Sequence, residues 1–575
     1  MGAVSLRAVP VPTRRWRVLP PAPLSFARAL GLPLSVASAL WHRGLHTPEA
    51  VAHFLSLQHT PGHDPFLLPQ MDKAVHRILQ ALLSGESIAI YGDFDTDGIT
   101  ATALLGEAIE GLGAQVLTYI PDRAREGHGL NIPALQRLRQ QKVSLVITVD
   151  TGIMGAGPGT ETHSLGLDLI VTDHHLPPKA LPQAVAVVSP WMPGSPYPFP
   201  NLTGAGLALK LAQALYRALE RPLPSAIWEL AAVGTVADLG PLLGENRTIV
   251  REGLRHLQRT QRPGFLALCA CAGVHPEEVT AEAISFILAP RLNAAGRLAS
   301  ADLSLRLLRA PTLQEALPLA QHLERLNDQR QRLTQNLLAL AVERIPQGAP
   351  PPLLFISGEE FVPGVNGLVA SALVEAFYRP AVVATHSGDR VRASARSIPE
   401  VHLGKVLQAG AEWFDRFGGH AAAGGFECAA PALPAVHDAL AGAVRAQLGS
   451  TPPVPTLLID AEAPFTDLLG ASYQTLSAMA PFGHGNPEPL FLARGVEVVS
   501  WRLAGEEGQH LLLRFRQGRA VWDGVGFRLG KVWSQGVPAV CDVVFTPDLA
   551  PGEGSRGLRL LVRDLRPTGN GSQVP

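Results

Sequence analysis

The feature that most constrains this chain is a series of short apolar runs, each closing on a polar residue and separated by stretches with helical spacing. From 86 to 190 the series reads ESIAIYGD (86–93), TATALLGEAIEGLG (100–113), QVLTYIPD (115–122), VSLVITVD (143–150), LDLIVTDHH (167–175) and AVAVVSP (184–190). Strand-like runs alternating with helices imply a parallel sheet with crossover helices. The predicted fold class is therefore α/β. Ligands of such sheets gather at the carboxyl ends of the strands, and the acidic and histidine residues of this region fall at those ends.

The 575 residues are long enough for three to five domains. Residues 1–80 read as a segment of short helices. Residues 81–300 hold the parallel-sheet pattern, with 203–260 helical. TLQEALPLAQHLERLNDQRQRLTQNLLALAVERI (312–345) is one long amphipathic helix, the core of a connecting segment over 301–347. A strand–helix pattern restarts over 348–448, and GSTPPVP (449–455) reads as a linker. Five short β-like runs then fill 455–567, which suits a small barrel such as an OB-fold.

Composition narrows the setting. Charged residues make up 17% and the formal net charge is -1, which argues against disorder and does not exclude a local basic groove. Four cysteines without a C-x-x-C pair argue against a zinc framework and for a reducing compartment. The proline-broken start resembles no signal peptide, and no run of about 18 apolar residues predicts a membrane span. The expectation is a cytoplasmic protein with no membrane partner.

The densest chemical signal is D-F-D-T-D-G, Asp93 to Gly98. Three alternating carboxylates and a glycine suggest an EF-hand loop, but the twelfth position, which needs a bidentate Glu, is Leu104. A polar turn capping the next helix needs only one of the acids. Clustered carboxylates repel one another unless cations neutralise them. Asp150 before Thr151–Gly152, the His174–His175 pair after Asp173, and Asp238 near the end of an apolar helix are each weak alone. They read respectively as a turn, a surface pair and a cap. Together, Asp95, Asp97, Asp150, His174 and Asp238 meet in one crevice if their strands are adjacent. Carboxylate with imidazole and no thiolate suits Mn²⁺ or Mg²⁺. Two ions about 3.5–4 Å apart, sharing a central Asp, would clamp a phosphodiester and activate water.

YGDFDTDGITA, VITVDTG, VTDHH and GTVADLGPLLGENR resemble, in order, the four motifs of the DHH phosphoesterase superfamily. The likeness continues through YPFPNLTGAGLALKLAQAL, ISFILAPRLNAAGRL, LERLNDQRQRL, PGVNGLVAS, SARSI, FGGHAAAGGF and PFGHGNPEPLF. Over roughly residues 80–567 the chain thus resembles the bacterial RecJ family. The resemblance implies a 5′→3′ exonuclease of single-stranded DNA that uses two Mn²⁺ or Mg²⁺ ions in repair and recombination. It implies a DHH catalytic domain (81–300), a DHH-associated domain (348–448) and an OB-fold (455–567). A single-strand-binding protein and a repair helicase are its candidate partners.

By that resemblance Asp95 and Asp97 bind one metal each, Asp150 bridges, and His174 and Asp238 complete the ligands. His175 contacts the scissile phosphate or supports the site, and Asp93 orients its neighbours. Arg123 and Arg125 in PDRAREGHG, Arg297 after NAAG, and Ser394 with Arg396 are candidates for a terminal phosphate. Gly419 and His420 lie in a glycine-rich segment suited to close phosphate approach. Arg502, Arg514, Arg516 and Arg519 among Trp501, Phe515 and Trp522 suit a single strand, or simply a barrel core with a solvated exterior. Two departures from the family stand out. His128 takes the place of a stacking Tyr, and Phe361, Val362 and Asn366 take the places of Trp, His and Ile. The alternatives are a DHH phosphodiesterase of short oligonucleotides or cyclic dinucleotides, and a non-enzymatic DHH-like scaffold. Such scaffolds lose acids of the first and fourth motifs that are present here. RNA cleavage stays open.

Overall fold

The computed structural model describes residues 14–56, 62–123, 125–505, 508–548 and 559–569. The chain forms two compact units. One, the parallel-sheet unit, comprises residues 56–328 with 478–488. The other, the barrel unit, comprises 1–55, 329–477 and 489–575.

In the parallel-sheet unit, strands β1 (Ser87–Tyr91), β2 (Gln115–Tyr119), β3 (Val143–Val149), β4 (Asp168–Thr172) and β5 (Ala186–Val188) pair in the order β2–β1–β3–β4–β5, all parallel. Alternate residues of one strand enter two different cores. Ile88, Ile90, Leu145 and Ile147 pack with helices α1 (Thr96–Glu110) and α3 (Gly204–Ala218), whereas Ala89, Tyr91 and Val146 pack with α2 (Ile132–Gln140). Burial on both faces explains why these strands read as continuous apolar runs. The chain steps from β1 out to β2, then returns to β3 on the other side. The strand order therefore reverses between β1 and β3, where such sheets open a ligand crevice at the carboxyl ends. Helices α4 (Ile227–Ala237), α5 (Gly244–Leu257) and α6 (Ala289–Leu298) follow, and α7 (Leu313–Glu343) runs across the boundary in the chain between the two units.

In the barrel unit, β6 (Leu354–Gly358), α8 (Pro363–Phe377), β7 (Ala381–Ser387), β8 (Arg390–Arg396), β9 (Phe414–Gly419) and β10 (Ala423–Ala429) precede α9 (Leu433–Leu448). Their strands pair in the order β9–β10–β8–β7–β6, with β6–β7 parallel and the others antiparallel. Strands β11 (Phe491–Ala504), β12 (His510–Gln517), β13 (Ala520–Gly526), β14 (Val540–Pro547) and β15 (Arg559–Pro567) form the C-terminal sheet. β11 pairs with both β12 and β14, so five strands close into a barrel. Closure removes the exposed sheet edges. Phe465, fully buried in a short turn before the barrel, packs against the rings of Phe515, Trp522 and Phe545.

The expectation of short helices over 1–80 meets a strand. Arg15–Val18 pairs in parallel with Thr456–Ile459, ahead of helices Leu24–Leu30, Leu34–Trp41 and Pro48–Leu55. Trp16 donates its indole N–H to Asp564 (2.8 Å), and the Arg566 guanidinium lies 4.1 Å from the centroid of its ring. Four residues cannot form a strand alone, so this one depends on partners far downstream in the chain. Residues 1–55 fall in the barrel unit, whereas the helix Met71–Ser84 falls in the parallel-sheet unit. Residues 1–13 and 57–61 lie outside the described residues. Among the described residues no single helix is long and apolar enough to cross a membrane.

Replacing Phe465 by Ala removes a ring touching three barrel strands. We expect a loss of about 3–5 kcal/mol of stability, measured as a lowered unfolding midpoint by scanning calorimetry.

Candidate metal centre

From β1 the chain turns through Asp93 and Phe94 into α1. Asp95 caps that helix, its carboxylate accepting the Gly98 N–H (3.1 Å). Asp97, one turn in, is 1% exposed and accepts two backbone N–H groups, from Gly204 (2.6 Å) and Ala205 (2.9 Å). These are the first residues of α3, so the carboxylate lies at a helix N-terminus, where negative charge is favoured. Asp150 follows β3 in the left-handed conformation at φ 60°, which Asp tolerates better than most residues. His174 follows β4, and Asp238 caps the C-terminus of α4.

Close packing brings these elements together, and glycines permit it. A Cβ at Gly98 would lie 2.5 Å from the Asp93 carbonyl, and one at Gly204 2.3 Å from Asp150 Cβ. One at Gly234, on α4, would lie 2.6 Å from Asp97 Oδ1 and 2.4 Å from Thr100 Oγ1.

Three groups of ligand atoms, each within 4.8 Å of one another, result: Asp93–Asp95–Asp150, Asp97–His174–Asp238 and Asp150–His174–His175. Asp150 and His174 each belong to two of them. His174 Nε2 lies 3.0 Å from Asp150 Oδ1 and 3.7 Å from Asp238 Oδ2. Yet Nε2 and Asp150 Oδ1 are both buried without a hydrogen-bond partner, as is Asp93 Oδ1. Buried polar atoms are nearly always satisfied. Carboxylate oxygens and an imidazole nitrogen that converge and are left unpartnered are the donor set a divalent cation takes, and the residues present fit such ions.

The electrostatics agree. Burial, then the neighbouring carboxylates, push Asp97 up to about 7 and Asp238 up to about 8, and raise Asp95 and Asp150 as well. Burial, then His175, lowers His174 to about 4, so its imidazole is neutral and its lone pair available at pH 7. His175 behaves oppositely. Its Nδ1 meets Asp173 Oδ1 at 2.7 Å, and that bond holds it up to about 9, as an imidazolium. Burial alone would raise Asp173, but hydrogen bonds from His175 and from the Ile153 N–H outweigh it and leave its carboxyl below the usual range.

The structure thus brings together Asp93, Asp95, Asp97, Asp150, His174, His175 and Asp238. Asp93, expected to orient its neighbours, itself offers an oxygen to the Asp95–Asp150 group. His128 packs its ring against Phe94 (4.4 Å) with Nδ1 3.8 Å from Asp93, and the Arg123 guanidinium sits 5.0 Å from the Phe94 ring centroid. Arg125 is exposed. Arg297 is on α6, which lies against the acidic loop. Its Asn293 accepts the Thr96 N–H (2.9 Å), and a Cβ at Gly296 would lie 2.6 Å from the Phe94 carbonyl.

Ser394, Arg396, Gly419 and His420 belong to the barrel unit. Ser394 and Arg396, two residues apart, share a face of β8. Ser394 opposes Gly425, and Gly419 opposes Gly424 on the neighbouring strands, with His420 exposed in the turn that follows. A Cβ at Gly367, near the start of α8, would lie 2.9 Å from the Arg396 guanidinium. Of the departures from the family pattern, Phe361 and Asn366 are buried, and Asn366 donates to Thr385 Oγ1 (2.8 Å).

Sequence reasoning passed over Phe94, Asn293, Gly204 and Gly234. A signal existed for Gly204, because Thr203 before an apolar helix is an N-cap signature, and Thr203 Oγ1 does accept the Gly206 N–H (3.3 Å).

Residues 87–235 match the model of the DHH family, N-terminal domain, and residues 459–564 that of the RecJ OB domain. The chain is similar to the single-stranded-DNA-specific exonuclease RecJ of Bacillus subtilis, at 37% identity over 88% of this chain and 64% of that protein. It is similar to the RecJ of Thermus thermophilus at 34% identity over 87% of this chain and 72% of that protein. A crystal structure of Thermus thermophilus RecJ in complex with Mn²⁺ matches with a TM-score of 0.81 at 32% identity, covering 96% of this chain and 79% of that one. The chain thus spans less than two thirds of the Bacillus protein.

Gly234→Ala places a methyl group against Asp97. We expect about 1–3 kcal/mol of destabilisation and a smaller gain in melting temperature on adding Mn²⁺ than in the unsubstituted protein, both read from thermal melts with and without the ion.

Proposed function

The chain belongs to the RecJ family, and on that premise we propose that it is a 5′→3′ exonuclease of single-stranded DNA using two Mn²⁺ or Mg²⁺ ions. The observation that carries the reading is the pair of buried, unsatisfied atoms Asp150 Oδ1 and His174 Nε2, facing each other 3.0 Å apart within a ring of further carboxylates.

In this reading Asp150, which belongs to two of the ligand groups, would help to hold both ions. Asp93, Asp95, Asp97, His174 and Asp238 supply the other donors. When bound, the ions neutralise the phosphodiester and lower the pKa of water. The chain's own part is positioning. The α3 N–H groups fix Asp97 before anything binds, and such preorganisation is a major source of rate enhancement. Asp173 holds His175 protonated, so His175 presents a cationic donor to negative charge growing on the phosphate. Phe94 with His128 and Arg123 forms a platform beside Asp93 for the terminal nucleotide, and Arg125 and Arg297 add positive charge. Ser394, Arg396, Gly419 and His420 bind the 5′-phosphate and so enforce polarity.

The domain assignment follows: an N-terminal segment (1–80), the DHH catalytic domain (81–300), a connecting helix (301–347), the DHH-associated domain (348–448) and the OB-fold (455–567), which binds the strand. The role is DNA repair and recombination in the cytoplasm, with a single-strand-binding protein and a helicase as partners.

End-labelled single-stranded DNA digested with Mn²⁺ tests the proposal. We expect release from the 5′ end, little attack on blunt duplex, and a loss on the order of 10³-fold in Asp150→Ala, the equivalent of several kcal/mol of charge stabilisation. Release from the 3′ end, or a preference for very short oligonucleotides over long strands, would overturn it.

A further inference from the structure

The segment Ala478–Glu488 precedes barrel strand β11 in the chain, yet it packs within the parallel-sheet unit. There it meets the loop that carries Asp238. That loop closes α4 with two bonds, Gly240 N–H to the Thr235 carbonyl (3.0 Å) and Leu239 N–H to the Val236 carbonyl (3.2 Å). This is the Schellman arrangement, whose left-handed position is normally glycine. Here that position is Leu239, at φ 57° and 63% exposed, directly after Asp238. A residue with a Cβ is disfavoured in this conformation, so a constraint from outside the turn helps to hold it.

His484 supplies that constraint at two points. Its Nδ1–H donates to the Leu239 carbonyl (2.6 Å), and its own carbonyl accepts the Leu242 N–H (2.7 Å). The flanking glycines let the segment lie close. A Cβ at Gly483 would fall 2.8 Å from Leu242 Cδ1, and one at Gly485 2.9 Å from Pro241 Cβ. The segment is itself rigid. Gly483 and Asn486 exchange backbone bonds (2.9 and 3.1 Å), and the buried Asn486 amide donates to the Met479 and Pro481 carbonyls (2.9 and 2.8 Å). Its base is fixed to α5, where buried Arg247 donates to the Met479 and Ala478 carbonyls (2.7 and 3.1 Å). On the opposite side of the loop, a Cβ at Gly240 would lie 2.6 Å from Thr203 Cγ2, beside the α3 N-terminus that holds Asp97.

We propose that residues 478–488 form a strap that positions Asp238, with His484 as the positioning residue acting through the Leu239 backbone. His484 belongs to none of the three ligand groups and reaches the site through the Leu239 carbonyl. The inference rests on the reading of Asp238 as a metal ligand.

Mn²⁺ binding to the metal-free full chain, followed by the electron paramagnetic resonance signal of the free ion, tests it without reference to turnover. His484→Ala should weaken binding by about 10–100-fold, as loss of a group that orients a ligand does, with KM for single-stranded DNA at saturating Mn²⁺ unchanged. Two rescues separate positioning from general damage. His484→Asn keeps an N–H donor near Leu239 and should restore affinity. Leu239→Gly, added to His484→Ala, should also restore it, because glycine adopts the left-handed turn unaided. Wild-type Mn²⁺ affinity in His484→Ala, or a deficit that Leu239→Gly leaves in place, would overturn the strap alone. An unsubstituted protein that binds no Mn²⁺, or Asp238→Ala binding as tightly as it does, would overturn the metal-centre reading and the strap together.

Discussion

Mutual repulsion among buried carboxylates is the constraint on which the parallel-sheet unit is organised. Asp95, Asp97, Asp150 and Asp238 crowd one pocket, and burial together with the charge of neighbouring carboxylates, Asp93 among them, raises the pKa of each. At an effective dielectric of about 20, two unit charges about 4 Å apart repel by roughly 4 kcal/mol. A helix N-terminus offsets at most about 2 kcal/mol of this. The two N–H groups of α3 therefore orient Asp97 and relieve it only in part. The rest of the repulsion needs cations or protons, and a depressed His174 that keeps its lone pair free favours cations. The same argument separates the two adjacent histidines. His174 faces the acids and is held neutral, whereas His175 is held charged by Asp173, which sits behind it and takes its own hydrogen bond from Ile153.

Holding such a cluster demands rigid supports at short range. Asp95, Asp97 and Asp150 follow β1 and β3, neighbouring strands of a sheet buried on both faces, where the reversal of strand order opens the crevice, and Asp238 reaches it from the C-terminus of α4. Gly98 then lets α1 lie against Asp93, Gly204 lets α3 lie against Asp150, and Gly234 lets α4 meet α1 and α3, at distances that no side chain permits. Enlarging any of these contacts moves a carboxylate, so packing and chemistry cannot be varied independently here.

This division explains what is legible in the sequence. Strands buried on both faces carry a local signal, and so do acids placed where those strands end. The crevice is therefore readable from ESIAIYGD, VSLVITVD and LDLIVTDHH, and the five barrel strands from their alternation. Features that depend on distant partners are not. The strand Arg15–Val18 exists because Thr456–Ile459 pairs with it, and nothing in RWRV announces that. Phe94 reads as a core residue in the middle of an acidic motif, and only the fold places Arg123 and His128 over its ring. Gly234 looks like an incidental glycine in an apolar helix until Thr100 and Asp97 are seen against it. His484 looks like part of a motif of unassigned purpose, because its partner is the backbone of a loop nearly half the chain away.

The position of the strap has a consequence for how the chain can be dissected. Residues 478–488 lie between the DHH-associated region and β11, so they would ordinarily be counted with the barrel. A truncation that ends before them removes the barrel and the support of Asp238 in one step. Lost activity in such a variant therefore does not measure the barrel's contribution to strand binding. A truncation that keeps the chain through Glu488 removes the barrel strands while leaving every strap contact to Leu239, Leu242 and Arg247 within the remaining sequence. Comparing the two separates strand binding from ligand positioning, because only the first alters the carboxylate cluster.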